Sequence, residues 1–336
     1  MPDRFDLWFL PVLSFALSAI LITLLHPLLI RYALARPNAR SSHRAPTPQG
    51  GGIAVIAATT LVAAAAVLLM PPLAGDPLRL ILIFACAIAL AVLGAADDIR
   101  PMEALPRLLL QGIAVLVALA ALPPHLHLFP AVPWWLERAL LFVAVLWFVN
   151  LVNFMDGIDW MTVAEVVPVT AALAVFGLVG ALPRDAMLVA LALCGAMIGF
   201  APFNKPVARL FLGDVGSLPI GLLLAWLLVL LAQDHLAAAI LLPLYYAADA
   251  TITLVRRFIR GERVTQAHRS HFYQRALDDG MSVMHIVGRV FWLNIALALL
   301  ALSTLLNTTL ALHLAAVAIG GIIVGLTLYR FGKVKA

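Results

Sequence analysis

Runs of about twenty apolar residues follow one another along this chain, and they leave it few ways to fold. Apolar residues make up 64% of the 336 and charged residues only 12%, which excludes a soluble globular domain. Each run is near the ~20 residues a helix needs to cross a bilayer. Proline, glycine and charge clusters separate about eleven such helices, with ten as the alternative count. They are expected at 7–31, 51–70, 78–96, 107–122, 136–152, 162–182, 186–201, 218–233, 236–257, 285–306 and 309–330. The expected fold is an all-α polytopic membrane protein, a single integral-membrane domain over residues 1–336. The first run outlasts the apolar core of a signal peptide, and no A-x-A-like site precedes the Arg31 to Arg44 stretch, so that span is expected to be retained. Cys86 and Cys194 stand alone in apolar segments and read as small core residues without a disulfide or metal framework.

Charge orients these spans. Alternating the loops puts Arg4, Arg79, Arg138 and Arg184 on one side and the other 18 of the 22 basic residues on the opposite side. Basic residues accumulate in cytoplasmic loops, so the N-terminus is expected outside and the C-terminus inside. The outer loops are short, and the longest carries Trp134 and Trp135, residues suited to a membrane interface. His125 and His127 in that loop read as solvated.

Asp97, Asp98, Asp156, Asp159 and Asp214 all fall at cytoplasmic span ends. A carboxylate at the centre of a bilayer costs roughly 3 kcal/mol on insertion scales, whereas carboxylates at span ends can share a wet, cation-binding face. The basic bias and the acidic cluster thus select the same surface. Adjacent Asp97 and Asp98 repel each other and persist most easily beside a cation, and Mg²⁺ prefers such oxygen ligands alongside substrate phosphates. Asn150, Asn153 and Asp156 are three apart and, on a helix, project from a shared face, with Gly157 relaxing the backbone so that Asp159 joins them. Gly213 and Gly216 flank Asp214 and are expected to leave it open to a metal or phosphate, while Phe211 is placed to stack on a base.

Two loops are mainly basic. Arg40, His43 and Arg44 suit a diphosphate, or equally a topogenic loop resting on anionic lipid. Gly50 to Gly52 allow close backbone approach to a partner before the next helix. His268, Arg269, His271 and Arg275 form an anion-binding mixture on an expected short helix; without a third matching ligand they make a weak zinc site. Asp249, inside the ninth span, reads as the partner of a loop arginine or as a catalytic group.

Taken together, Asp97-Asp98, the run Asn150-Leu-Val-Asn-Phe-Met-Asp-Gly-Ile-Asp159 and Phe211-Leu-Gly-Asp-Val-Gly-Ser217 resemble the polyprenyl-phosphate N-acetylhexosamine-1-phosphate transferases. This is the MraY/WecA group, glycosyltransferase family 4. Pro46-Thr-Pro-Gln-Gly-Gly51 and His268-Arg-Ser-His271 support the resemblance, the latter looking closest to the O-antigen-initiating, WbpL-like branch. It implies transfer of a sugar 1-phosphate from a UDP-N-acetyl sugar to undecaprenyl phosphate with release of UMP, in a bacterial inner (cytoplasmic) membrane. By position it makes Asp214, with Asp98, a ligand of Mg²⁺ (or Mn²⁺). Asp97 would then orient or deprotonate the lipid phosphate, with Asp98 in support. Asn153, Asp156 and Asp159 would hold the nucleotide sugar, Phe211 would stack on uracil, and His268 and His271 would contact diphosphate or sugar. A homodimer is compatible with the group, and no nucleic acid is an expected partner. Where the family usually has Gly-Leu after the last aspartate of the second motif, this chain has Trp160-Met161.

The competing class is a secondary transporter with the aspartates as coupling-ion sites. Transporter sites lie near the bilayer midplane between inverted repeats; here the acids gather at one surface and the spans show no repeat. A CDP-alcohol enzyme would need an Asp-Gly-x-x-Ala-Arg signature, which is absent around Asp156.

Overall fold

A computed structural model describes residues 4–35, 46–70, 76–263, 268–306 and 309–333. Among the described residues the chain is almost wholly helical: α1 (Arg4–Tyr32), α2 (Gly51–Leu69), α3 (Pro77–Ile99), α4 (Ala104–Ala120), α5 (Trp134–Met155), α6 (Met161–Leu178), α7 (Arg184–Phe200), α8 (Asp214–Leu241), α9 (Leu244–Ile259), α10 (Phe272–Asp278), α11 (Val283–Ser303) and α12 (Leu310–Gly332). Strands β1 (Leu34–Ala35) and β2 (Thr47–Pro48) pair antiparallel, Leu34 opposite Pro48 and Ala35 opposite Thr47. Eight helices (α1, α2, α3, α5, α6, α8, α11 and α12) are long and apolar enough to cross a bilayer. Helix is the structure such segments require, because hydrocarbon offers no partner to an unpaired backbone N–H or C=O. The protein is a polytopic membrane protein.

Helix ends follow local chemistry. Asp76 accepts a hydrogen bond from the Leu78 amide and Pro77 opens α3, while Ser282 accepts from the His285 amide to start α11. Helices follow the eleven expected segments in order, eight of them long and apolar enough to span. The eighth and ninth spans were expected to part at 233–236. The helical path is interrupted there, at His235 (φ −132°, ψ 54°), and a second break follows at Pro243, which has no N–H to donate.

Helix α8 forms the axis of the bundle, with 94% of its most apolar window buried, against 22% for α1 and 17% for α12. It packs against α2, α3, α5, α11 and α12. Small residues allow the backbones to close up, as TM helix interfaces generally require: side chains at Gly195, Gly199 or Gly221 would collide with the backbones of α1 and α5. Helix α9 is turned inside out, with Tyr245, Tyr246, Asp249, Thr253 and Arg257 buried and Ile252, Val255, Phe258 and Ile259 exposed. Cys86 and Cys194 are both buried and unpaired. His127, expected in solvent, instead approaches the Val132 carbonyl (3.1 Å) and Glu137 (3.6 Å).

Candidate active site

The site is assembled from the C-terminal ends of α3 and α5, the first turns of α4 and α8, and the segment preceding α2. Residues 48–52 lie along 211–212 like a short strand. Phe211 donates its N–H to the Pro48 carbonyl, Gly50 and Gly51 donate to the Phe211 carbonyl, and Gly52 donates to that of Leu212. The expected close backbone approach at Gly50 to Gly52 occurs here: a Cβ on Gly52 would collide with the backbone of Gly216. Gly94 is pressed against Asp214 in the same way. Gly213, at φ +78°, packs against Asp98 and Gly216 against Leu212, while the Asp214 side chain keeps 26% of its surface exposed.

These contacts bring Asp98 to the start of α8. Its carboxylate accepts from the amides of Asp214 (3.0 Å) and Val215 (3.2 Å), an anion at the positive end of a helix. Gln49 donates its side-chain amide to the Asp98 carbonyl at 3.0 Å. Next to it, Asp97 accepts from the Met102 amide (2.6 Å) and from Arg107 (2.9 Å). The same Arg107 nitrogen lies 3.5 Å from Asp214. One guanidinium thus serves two carboxylates, with a third alongside. Asn153 donates to the Ser217 hydroxyl at 2.9 Å and also hydrogen-bonds Asp214, tying the end of α5 to the start of α8.

Helix α5 ends at Met155, and Asp156 stands at its C-cap. Burial pushes the Asp156 carboxyl up to about 7, the charges of Asp98 and Asp159 push the same way, and a hydrogen bond donated by the Thr162 hydroxyl pulls it down. Asp159 is buried and accepts from the Ala208 amide at 3.0 Å, fastening the α7–α8 loop. Trp160 adopts the left-handed conformation (φ +61°), which glycine takes without strain. Its amide donates to Asn204 (2.8 Å) and its indole N–H to the Ala201 carbonyl (2.6 Å). The departure from the family's glycine thus preserves the turn and adds an anchor to the same loop.

A second polar centre holds α10 against this one. Asp249, fully buried, approaches His271 Nδ1 at 3.2 Å and accepts from the amides of Phe272 (3.0 Å) and Tyr273 (3.4 Å) and from the hydroxyls of Tyr245 and Thr253 (both 3.3 Å). Its partner is a histidine and a helix N-terminus, not the loop arginine offered by the sequence. Helix α10 begins after His271, so His268 and Arg269 lie in the preceding loop and not on the helix. His268 meets the Ser270 hydroxyl at 2.8 Å and its ring lies 5.0 Å from that of His271, while Arg269 pairs with Asp278 at 2.9 Å. The Tyr273 hydroxyl donates to the Phe154 carbonyl at 3.2 Å, and only glycine at 157 leaves room for it. Close approach, not backbone freedom, is the reason for Gly157.

Of the residues expected from sequence, Asp97, Asp98, Asn153, Asp156 and Asp214 come together. Phe211, partly buried, contributes backbone to the adjoining ladder. Asn150 does not join them: it is buried against α4, donating to Gln111 (2.7 Å) and the Leu146 carbonyl (2.8 Å). His271 is buried beneath α10. Arg40, His43 and Arg44 lie outside the described residues. Arg107, Thr162 and Ser217 are site residues that the sequence reading passed over; the signal for Arg107 was an arginine at the start of an otherwise apolar helix.

Residues 80–232 match the sequence profile described as glycosyl transferase family 4, which spans Asp97, Asp98, Asn153, Asp156, Asp159 and Asp214. The matched stretch covers just under half of the chain. Among the similar proteins is a probable undecaprenyl-phosphate N-acetylglucosaminyl 1-phosphate transferase of Bacillus subtilis, 25% identical over 83% of this chain and 82% of that protein. A phospho-N-acetylmuramoyl-pentapeptide-transferase of Rhodopseudomonas palustris is 34% identical over 46% of this chain and 47% of its own. Another, of Solibacter usitatus, is 28% identical over 68% and 63%. The match thus spans about half to two thirds of the pentapeptide transferases and most of the N-acetylglucosaminyl one.

Proposed function

We propose that this protein is a polyprenyl-phosphate sugar-1-phosphate transferase that takes a UDP-N-acetyl sugar as donor and undecaprenyl phosphate as acceptor. Its relatives support the coarser reading through the reactions their names state. The observation that carries the rest is the pairing of both Asp97 and Asp214 with Arg107, with Asp98 beside them on the first amides of α8, at one end of an apolar bundle. An oxygen of the lipid phosphate attacks the β-phosphorus of the donor. The bond from that phosphorus to the bridging oxygen breaks, UMP leaves with the electron pair, and a lipid diphosphate sugar remains.

The acceptor is largely dianionic at neutral pH, since the second ionisation of a phosphate monoester lies near 6. It therefore needs orientation more than deprotonation. Asp97, with both oxygens already engaged, serves by fixing Arg107, and Arg107 meets the negative phosphoryl oxygens. Asn153 and Asp156, on the adjoining edge, face the nucleotide sugar. Phe211 is the candidate for stacking on uracil, with His268 and Arg269 facing the diphosphate or sugar.

Among the described residues no three His, Cys, Asp or Glu side chains form a closed metal cage. Mg²⁺ or Mn²⁺ held by one or two carboxylates plus substrate phosphates needs none. Two carboxylates sharing one guanidinium, with the Asp98 carboxylate beside them, leave uncompensated negative charge, which fits such a cation, with Asp214 and Asp98 as its protein ligands. The cation would neutralise charge on the transferring phosphoryl group. Within this reading the enzyme lies in a bacterial inner membrane with the site facing the cytoplasm, and a homodimer and a role in starting O-antigen or another surface glycan are compatible with it.

The test is UMP release by purified protein with Mg²⁺, undecaprenyl phosphate and a panel of UDP-N-acetyl sugars. Release that depends on lipid and cation is expected, and Asp214→Asn should lose at least ~10²-fold of it while the protein still inserts and folds. Silence across the panel from folded protein would overturn the transferase reading and favour a transporter.

A further inference from the structure

Between α11 and α12, at the end of the bundle that carries the aspartates, lies a groove of about 540 Å³. Neither Arg107 nor any of the clustered aspartates lines it, so the reaction proposed above leaves it unexplained. Its lining is graded along the helix axes. Arg289 lies six residues into α11, and Arg330 lies two residues before the end of α12, which puts both within ~9 Å of the helix ends. His285 and Thr327 complete this polar mouth. Deeper, roughly 14–20 Å from the helix ends, the walls become apolar at Ala296 and Ile323, with Leu293 and Trp292 between.

Among the described residues no carboxylate forms an ion pair with Arg289 or Arg330. Two guanidinium groups at headgroup depth, with a lengthwise apolar trough below them, match a phosphate carrying a hydrocarbon chain. Nothing lies within 4 Å of the position a side chain would take at Gly288, which leaves room for the headgroup. Trp292, 70% exposed, lines the trough. The geometry points to a binding groove for an anionic glycerophospholipid of the surrounding leaflet, its phosphate between Arg289 and Arg330 and an acyl chain along Trp292, Leu293, Ala296 and Ile323. Basic pockets between membrane helices are suited to such headgroups. The reacting prenyl phosphate is the less suitable occupant, because it must reach Arg107 and Asp214. The inference does not depend on which reaction the enzyme performs.

Quenching of tryptophan emission by lipids brominated on the acyl chain tests this with the full-length protein in detergent. The Trp292 signal is the difference between the protein and its Trp292→Phe variant. Phosphatidylglycerol should quench it saturably at a concentration roughly tenfold below that needed for phosphatidylcholine, and Arg289→Gln with Arg330→Gln should remove that difference. Equal quenching by the two lipids, or a double variant that retains the preference, overturns the proposal. If the double variant does not remain monodisperse, Arg330→Gln alone, in the last turn of α12, should narrow the preference by about threefold, and no change again overturns it. Unbrominated undecaprenyl phosphate added as competitor identifies the source: displacement of phosphatidylglycerol by an equal or lower concentration would assign the groove to the acceptor and sink the glycerophospholipid.

Discussion

Arg107 holds a charge balance that no single aspartate can, because one of its nitrogens faces both Asp97 and Asp214. Replacing it leaves like charges side by side, which lowers turnover but makes the cluster a stronger cation trap. Arg107→Ala should cut kcat/KM by about 10²-fold while lowering the Mg²⁺ concentration for half-maximal rate, and Arg107→Lys should recover part of both. A titration in which the Mg²⁺ requirement rises or stays put would speak against the shared-cation arrangement. Asp156 supplies a different readout. With its carboxyl pushed up to about 7, the rate should climb with pH through that value if the ionised form binds substrate. Thr162 donates to the carboxylate and so favours ionisation. Thr162→Val should therefore move the acidic limb of the pH–rate profile upward by about 1 pH unit. The stability consequence has the opposite sense. The folded state prefers the protonated acid, so it loses stability as pH rises from the ordinary carboxylate range to about 7. Asp156→Asn should flatten that decline in a denaturation series.

The turn between α5 and α6 depends on Trp160, whose left-handed backbone costs roughly 1–2 kcal/mol for a residue with a side chain. Its indole bond to Ala201 offsets that strain. Trp160→Gly loses the bond but also the strain, whereas Trp160→Ala loses the bond and keeps the strain. Thermal unfolding should therefore rank the natural protein first, glycine second and alanine last, the two variants about 1 kcal/mol apart; alanine at or above glycine would contradict the strain assignment. The same turn shows what could be read in advance. Its acids and its glycine stand out against an apolar background, and so does the clustering of charge at one end. Partnerships that exist only after tertiary approach do not. Asp98 meets Asp214 and Val215 across 116 and 117 residues, Asn153 meets Ser217 across 64, and Trp160 meets Asn204 across 44. Asn150 misled for a geometric reason. At 3.6 residues per turn, a three-residue spacing drifts about 60° each step, so Asn150 faces α4 when Asn153 faces α8. The break expected at 233–236 falls at His235, whereas the second one, at Pro243, cuts the expected ninth span.

Across the whole molecule, one polarity follows from two independent features. The acidic ends of α3, α5 and α8 and the site end of α11 lie together, and the 18 to 4 division of basic residues predicts that this end faces the cytoplasm. A nucleotide sugar is made in the cytoplasm, so the proposed chemistry requires the same sidedness. Helix α11 offers a direct test, since Ser282 caps its site end and Ser303 closes its other end, both exposed. The two natural cysteines are buried, which leaves a quiet background for thiol labelling. In cells with a permeabilised outer membrane, Ser303→Cys should react with a membrane-impermeant maleimide, and Ser282→Cys should react only after the inner membrane is opened. The reverse pattern would put the aspartates outside, beyond the reach of UDP-sugars, and would remove the transferase reading together with the orientation. Labelling of both from outside would mean that α11 does not span the bilayer, and the groove it forms with α12 would then have no leaflet to draw its lipid from.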